Sequence, residues 1–122
     1  MKPLTSTSLP TFLERFDHFK NAEIQNITIL SATSIQLHLF LQDTQRDFNW
    51  IDLYLVFEDV VDAKLPQEVN VSYIDSSDGF LLVYQDQLFK WSCEQDKSLI
   101  GTKNALCYII AKSIKLKEEV PQ

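Results

Sequence analysis

The stretches Ser34-Ile-Gln-Leu-His-Leu-Phe-Leu-Gln42 and Asn49-Trp-Ile-Asp-Leu-Tyr-Leu-Val-Phe57 decide the fold of this chain. Each alternates apolar and polar residues, which predicts a β-strand with one buried face. If Gln42 pairs with Trp50 in an antiparallel hairpin, apolar residues oppose each other, whereas a shift by one residue would set leucines against polar partners. The pairs predicted on the buried face are Leu41 with Ile51, Leu39 with Leu53, Leu37 with Leu55 and Ile35 with Phe57.

An amphipathic helix is predicted before this hairpin. Its apolar residues recur at helical spacing and form one stripe. They are Leu9, Phe12, Leu13, Phe16 and Phe19. Ser8 is the predicted N-cap, and Pro10 suits the first turn because the amide hydrogen that it lacks would have no partner there. Three phenylalanines on one face indicate that this helix packs on a sheet.

Further strands are predicted on both sides of the hairpin. They cover residues 23–30, 68–74, 80–85, 88–93 and 105–117, with a bulge near Gln25. Over residues 112–117 lysines alternate with apolar residues, a pattern that blunts an exposed sheet edge. The sequence thus predicts an α+β fold that is mainly antiparallel β. One N-terminal helix would pack on a curved meander or a small two-sheet sandwich of about seven strands.

The composition is that of one domain. The chain has 122 residues, 45% of them hydrophobic, which is enough for a core of its own. We expect residues 1–122 to form a single domain, with a polar N-terminal segment at 1–8 and a mobile loop at 94–104. Since no apolar run is long enough for a signal peptide or a membrane span, we expect a cytoplasmic protein.

The two cysteines, Cys93 and Cys107, are too few for a disulfide framework and too widely spaced for a zinc motif. We expect two buried, reduced thiols, and neither a metal site nor a cofactor. If the strands on either side of loop 94–104 pair symmetrically, the two cysteines are neighbours, with a Cα separation below about 7 Å.

Charge is distributed unevenly along the chain. The net charge is −6, and nine acidic residues between positions 43 and 78 stand against Arg46 and Lys64. Nucleic acid is not an expected partner, because phosphate recognition needs a concentrated basic surface. A basic protein partner suits the acidic region better. Neutralising Asp59 and Asp62 together is expected to slow its association.

The polar face of the central hairpin carries Phe40, Trp50 and Tyr54. One interpretation is that the helix covers these aromatic residues while the leucine face meets a second sheet. The other is that they stay exposed and form the centre of an interface with a partner, or with a second copy in a homodimer. The candidate binding residues are Phe40, Trp50, Tyr54, Asp43, Asp47, Asp52, Asp59 and Asp62.

Three short segments carry a resemblance to a known family. They are Phe16-Asp-His-Phe-Lys-Asn-Ala-Glu-Ile24, Leu53-Tyr-Leu-Val-Phe-Glu-Asp-Val60 and Leu106-Cys-Tyr-Ile-Ile-Ala-Lys-Ser-Ile114. They resemble the F-H-D-A-x-I, L-x-L-x-F-x-x-V and F-x-C-x-x-I segments of immunity proteins from bacterial polymorphic toxin systems, although Asp17 and His18 are inverted here. The resemblance implies an inhibitor that binds a toxin and has no catalytic activity of its own.

No motif in the chain indicates catalysis. There is no glycine-rich phosphate loop, no Gly-x-Ser-x-Gly and no His-x-x-x-His. Side chains of the neighbours Asp17 and His18 would diverge on a helix, and Cys107 lies in too apolar a run to act as a nucleophile with His38. We therefore expect a protein that is not an enzyme.

Two classes of function remain from the sequence. The first is a non-catalytic protein-binding module, such as an inhibitor or immunity-type protein whose acidic surface covers a basic site on its partner. The alternative is a small-ligand binder with an apolar cavity between sheet and helix, for which the lining candidates are Trp91, Tyr84 and Phe89.

Overall fold

The computed structural model describes residues 1–66 and 74–121, which form one antiparallel sheet with a short helix on one face. The elements are β1 (Lys2–Leu4), α1 (Leu9–Arg15), β2 (Glu23–Ser31), β3 (Ser34–Asp43), β4 (Asn49–Lys64), β5 (Leu81–Gln85), β6 (Leu88–Ser92) and β7 (Tyr108–Glu119). Short 3-10 turns lie at Asp17–Phe19, Thr44–Arg46 and Lys97–Leu99.

All seven of these strands belong to a single sheet in the order β2-β3-β4-β7-β6-β5, with β1 also paired to β7. The predicted α+β fold, mainly antiparallel, is confirmed. It takes the form of one sheet rather than a two-sheet sandwich. The strand predicted at 68–74 lies outside the described residues except for Ile74.

The predicted register of the central hairpin is confirmed. Gln42 lies opposite Trp50, and each predicted pair is observed up to Ile35 with Phe57. The bulge predicted near Gln25 is also present in β2. Alternate residues of β3 and β4 are fully buried. The alternation of apolar and polar residues along each strand has therefore set the register.

β7 is a central strand, so the exposed edge predicted for residues 112–117 is wrong. It pairs with β4 along its whole length, while β6 and β1 share its other side. Its lysines are exposed because they project from the solvent side of the sheet. The N-terminal segment is likewise not only polar, since it contains β1 and the buried residue Leu4.

α1 packs on the leucine face of the sheet. Leu9 and Phe12 of α1 belong to the same buried core as Leu39 and Leu53. The interpretation in which the helix covers the aromatic face and a second sheet meets the leucines is therefore wrong. Burying the wholly apolar leucine face releases more free energy than covering the mixed outer face would.

α1 is shorter than its apolar stripe. It ends at Arg15, and Phe19 reaches the core from the following turn, in which Asp17–Phe19 all have positive φ values. Pro10 lies in the first helical turn as predicted, but the Ser8 hydroxyl bonds Thr5 and does not cap the helix.

The outermost strands of the sheet are brought close by the segments that precede them. Phe80 donates its amide hydrogen to the His18 carbonyl at 3.2 Å, and Asn21 donates to the Ser76 carbonyl at 2.9 Å. These residues stand just before β5 and β2, which four other strands separate in the sheet. A flat sheet would hold them about 24 Å apart, so the sheet is curved, as predicted.

Gly79→Ala tests the contact between the segments that precede β5 and β2. Gly79 has φ +82°, and an added Cβ would lie 2.2 Å from the His18 carbonyl oxygen. We expect a loss of about 3 kcal/mol or more in the free energy of unfolding, measured with urea, because backbone atoms must move and the left-handed conformation is strained. Gly101→Ala is the matched control, since φ is +83° but nothing lies within 4 Å of the added atom. The control should lose only about 1 kcal/mol in the free energy of unfolding. Equal losses in the two variants would contradict the close contact between the segments that precede β5 and β2.

Candidate protein-binding face

The sheet face opposite α1, called the outer face below, is built from β2, β3, β4 and β7. Cross-strand partners align on it in rows. One row is Glu23, Phe40, Asp52 and Glu119, and the next is Asn26, His38, Tyr54 and Lys117. Trp50 stands beyond the first row, opposite Gln42. The register thus gathers residues that are far apart in the sequence into one surface.

Aromatic rings stack in pairs on the outer face. The centroids of Phe40 and Trp50 are 5.2 Å apart, and those of His38 and Tyr54 are 4.2 Å apart. Trp50 is 37% exposed, and Phe48 in the adjoining turn is 61% exposed. The structure therefore brings together the three aromatic residues predicted for the site, and Phe48 is a further exposed aromatic residue in the adjoining turn. A phenylalanine in an otherwise polar turn was the signal that could have identified it.

The carboxylates of the outer face are held by neighbouring bases. His38 Nε2 lies 2.7 Å from Asp52 Oδ1, and Lys117 Nζ lies 2.7 Å from Glu119 Oε1. The pKa of Tyr54 is raised, first by burial and then by the charges of Glu119 and Asp52. These partners allow Asp52 and Glu119 to stand directly opposite each other, an arrangement that like charges alone would disfavour.

Asp43 does not ring the aromatic residues as predicted, because it is fully buried on the leucine side. β3 extends one residue beyond Gln42, and the alternation of the strand turns Asp43 inward. Its carboxylate accepts hydrogen bonds from Arg15 Nε at 2.9 Å and Nη2 at 2.6 Å, and from the Gln45 amide at 3.0 Å. Arg15 also pairs with Glu118. Asp43 thus holds the end of α1 through Arg15 and is not part of the candidate site.

The other predicted acids lie in two places. Asp52 is in the first row, and Asp47 is exposed in the turn beside Phe48. Asp59 and Asp62 lie toward the far end of β4. Asp59 and Asp62 lie roughly 23 Å and 33 Å along the strand from Asp52, both well beyond the Debye length of about 8 Å at physiological salt. These two acids are therefore separate from the outer-face aromatic residues.

The three residues predicted to line a ligand cavity lie in different settings. Trp91 and Phe89 are packed in the core, and Tyr84 is exposed on β5 at the end of the strand order. A groove of about 370 Å³ lies elsewhere, between β1, α1 and the end of β7, with Leu4 and Phe12 in its wall. None of the three predicted lining residues borders this groove.

His38 and Cys107, which were considered together for catalysis, lie far apart in the sheet. His38 is in a row with Lys117, near the end of β7, whereas Cys107 immediately precedes the start of that strand. Within residues 1–66 and 74–121, no group of three or more histidine, cysteine or acidic residues is placed to hold a metal ion. No helix in this part of the chain has the length and apolar character needed to cross a bilayer.

The geometry defines an α+β protein with an aromatic, acidic sheet face. No protein-family model matches the chain, and neither a curated protein nor a solved structure matches it. The interpretation of the outer face therefore depends on its own chemistry.

Proposed function

We propose that this protein is a non-catalytic binding module whose outer face docks on a basic surface of another protein. The observation that carries the proposal is the Phe40–Trp50 stack, which is partly exposed on the face opposite α1. Phe48, in the turn between β3 and β4, is a further exposed aromatic residue. Large aromatic side chains of this kind carry much of the free energy of protein association.

The charge of the outer face favours a basic partner. Its carboxylates are more numerous than its lysines. Around the aromatic stack the charged residues are Glu23, Asp52 and Glu119, with Asp47 in the adjoining turn, against Lys117, which pairs with Glu119 at 2.7 Å. Farther along β4 and β7, Glu58 pairs with Lys115 at 3.2 Å, and Lys112 is exposed. A partner therefore meets a net negative potential around the aromatic stack, which steers basic proteins toward it and disfavours acidic ones.

Within this class we propose an inhibitor of the immunity type, whose outer face would cover a basic site on its target. Two features support this finer proposal. The first is the resemblance of three segments to immunity proteins. The second is that one of those segments, residues 53–60, contributes Tyr54 to the outer face.

The first experiment is affinity purification from the native host with the wild-type protein and Trp50→Ala as baits. We expect a basic protein that the wild type retains and the variant loses, and direct binding of the purified pair. Sedimentation velocity of the wild type alone then tests for self-association. A homodimer that Trp50→Ala dissociates would overturn the proposal, because a second copy would then occupy the outer face.

Association rates with the purified partner test the electrostatic part of the proposal. Asp52→Asn with Glu119→Gln should slow association about 10-fold at low salt, with a smaller difference as ionic strength rises. Asp59→Asn with Asp62→Asn removes the same charge roughly 23–33 Å from Asp52 along β4 and is the matched control. Although the sequence alone predicted slower association for this pair, the separation leads us to expect little change. Equal slowing by both double variants would contradict docking on the outer face.

A further inference from the structure

Cys93 and Cys107 face each other where the β6–β7 ladder ends. Ser92 lies opposite Tyr108, and the next pair outward is Cys93 with Cys107, whose carbonyl accepts the Cys93 amide at 3.3 Å. Both side chains are buried. The predicted proximity of the two cysteines is therefore confirmed. Directly opposed residues in antiparallel strands have Cα atoms about 4.5–5.5 Å apart, within the 4.4–6.8 Å range of disulfide bonds.

Hydrogen bonds hold both backbone segments in place. The Ser92 hydroxyl donates to the Cys107 carbonyl at 3.3 Å and accepts the Glu94 amide at 3.0 Å. The Glu94 carboxylate in turn accepts the Leu106 amide at 2.7 Å. These hydrogen bonds thus hold together the two ends of the loop between the cysteines. Ordering of this kind lowers the entropy that a cross-link there would have to remove.

The two thiols differ in acidity. A hydrogen bond from Cys107 lowers the pKa of Cys93, and the same contact together with burial raises the pKa of Cys107. The hydrogen bond that Cys107 donates thus favours the thiolate at Cys93, and the thiolate is the form that attacks a disulfide.

We propose that Cys93 and Cys107 form a reversible disulfide bond in the folded protein, with a small-molecule disulfide such as oxidised glutathione as the oxidant. The Cys93 thiolate attacks one sulfur of oxidised glutathione, which breaks its disulfide bond and releases one glutathione thiolate. Cys107 then loses its proton and attacks the Cys93 sulfur of the mixed disulfide, releasing the second glutathione. Two protein thiols are oxidised, and one molecule of oxidised glutathione is reduced to two of glutathione.

This modification site goes beyond the proposed binding function. The bond would cross-link β6 to β7 and close a loop of about 15 residues. It would lie on a different part of the sheet from Trp50, since Trp50 is at the start of β4, whereas Cys107 adjoins Tyr108, which pairs with Lys64 at the other end of that strand. Partner binding is accordingly expected to be the same in the oxidised and reduced proteins.

The test measures the equilibrium between dithiol and disulfide in glutathione buffers of graded ratio. Samples are quenched with acid, alkylated in denaturant and analysed by intact mass. We expect the disulfide of the native protein to be favoured about 100-fold over that of the urea-unfolded chain, because native pairing has already closed the loop. Cys93→Ser and Cys107→Ser should each form only the mixed disulfide at the remaining cysteine.

Two results would overturn the proposal. One is an equilibrium constant in the native state equal to or below that of the unfolded chain. The other is a native protein that forms mixed disulfides with glutathione but no disulfide between Cys93 and Cys107, so that its intact mass does not fall by two hydrogens. Since the measurement is made at equilibrium, slow access to the buried thiols does not affect it. The single variants can be compared with the wild type by urea unfolding to establish that they are folded.

Discussion

Replacing Trp50 with alanine should weaken binding of the basic partner about 100-fold while leaving the fold close to its original stability. Aromatic residues at the centre of an interface cost about 2–4 kcal/mol when truncated. Trp50 is 37% exposed and is already held against Phe40, with the ring centroids 5.2 Å apart. Little side-chain entropy remains to be lost on binding. Titration calorimetry with the purified partner gives the dissociation constant.

Tyr84→Ala is the matched control for Trp50→Ala. Tyr84 is 38% exposed and packs on Phe89 with a centroid distance of 4.8 Å, but it lies on β5, away from the outer face. Each substitution should lower the free energy of unfolding by about 1 kcal/mol, since both side chains are only partly buried. Only Trp50→Ala should change the affinity. Unchanged affinity for Trp50→Ala, or an equal loss for Tyr84→Ala, would refute the outer face as the docking surface.

Asp43→Asn should lower the free energy of unfolding by about 3 kcal/mol at pH 7. Breaking a buried ion pair by removing one charge costs about 3–5 kcal/mol. Here the carboxylate is fully buried, whereas Arg15 is 17% exposed and keeps Glu118 as a partner. We therefore expect the lower end of that range. Asp47→Asn, at an exposed left-handed position that asparagine tolerates, is the control and should change stability little.

The effect of Asp43→Asn should depend on pH. The Arg15 guanidinium is the main cause that lowers the pKa of Asp43 below its usual value of 3.8. Because the folded protein holds the ionised form more tightly than the unfolded chain, the stabilisation is complete above about pH 4 and is lost as the pH falls through the folded-state pKa. Urea unfolding of the wild type and Asp43→Asn should differ by a constant amount from pH 7 to 5 and converge below about pH 4. A difference independent of pH would mean that the charge of Asp43 contributes nothing.

Local pattern was sufficient to predict the pairing of β3 with β4 and the bulge in β2. Period-two alternation allows only one register that buries the leucines, so the partners of Leu37 and Leu39 could be read from the chain. The same alternation placed Phe40, Trp50 and Tyr54 on a common face. It also contained a signal for Asp43, which falls on the leucine side once β3 is extended by one residue.

The sequence by itself determined most of the strands, their central register and the presence of an amphipathic helix, because these follow from residues close together in the chain. Only the tertiary structure decided the pairing of β1, which face the helix covers, the central place of residues 112–117 and the Arg15–Asp43 ion pair. Each of these depends on contacts between distant segments, such as the 28 positions that separate Arg15 from Asp43. Their free energy comes from how the elements pack together. For that reason the outer face remained open and Asp43, a surface candidate by its residue type, became part of the interior.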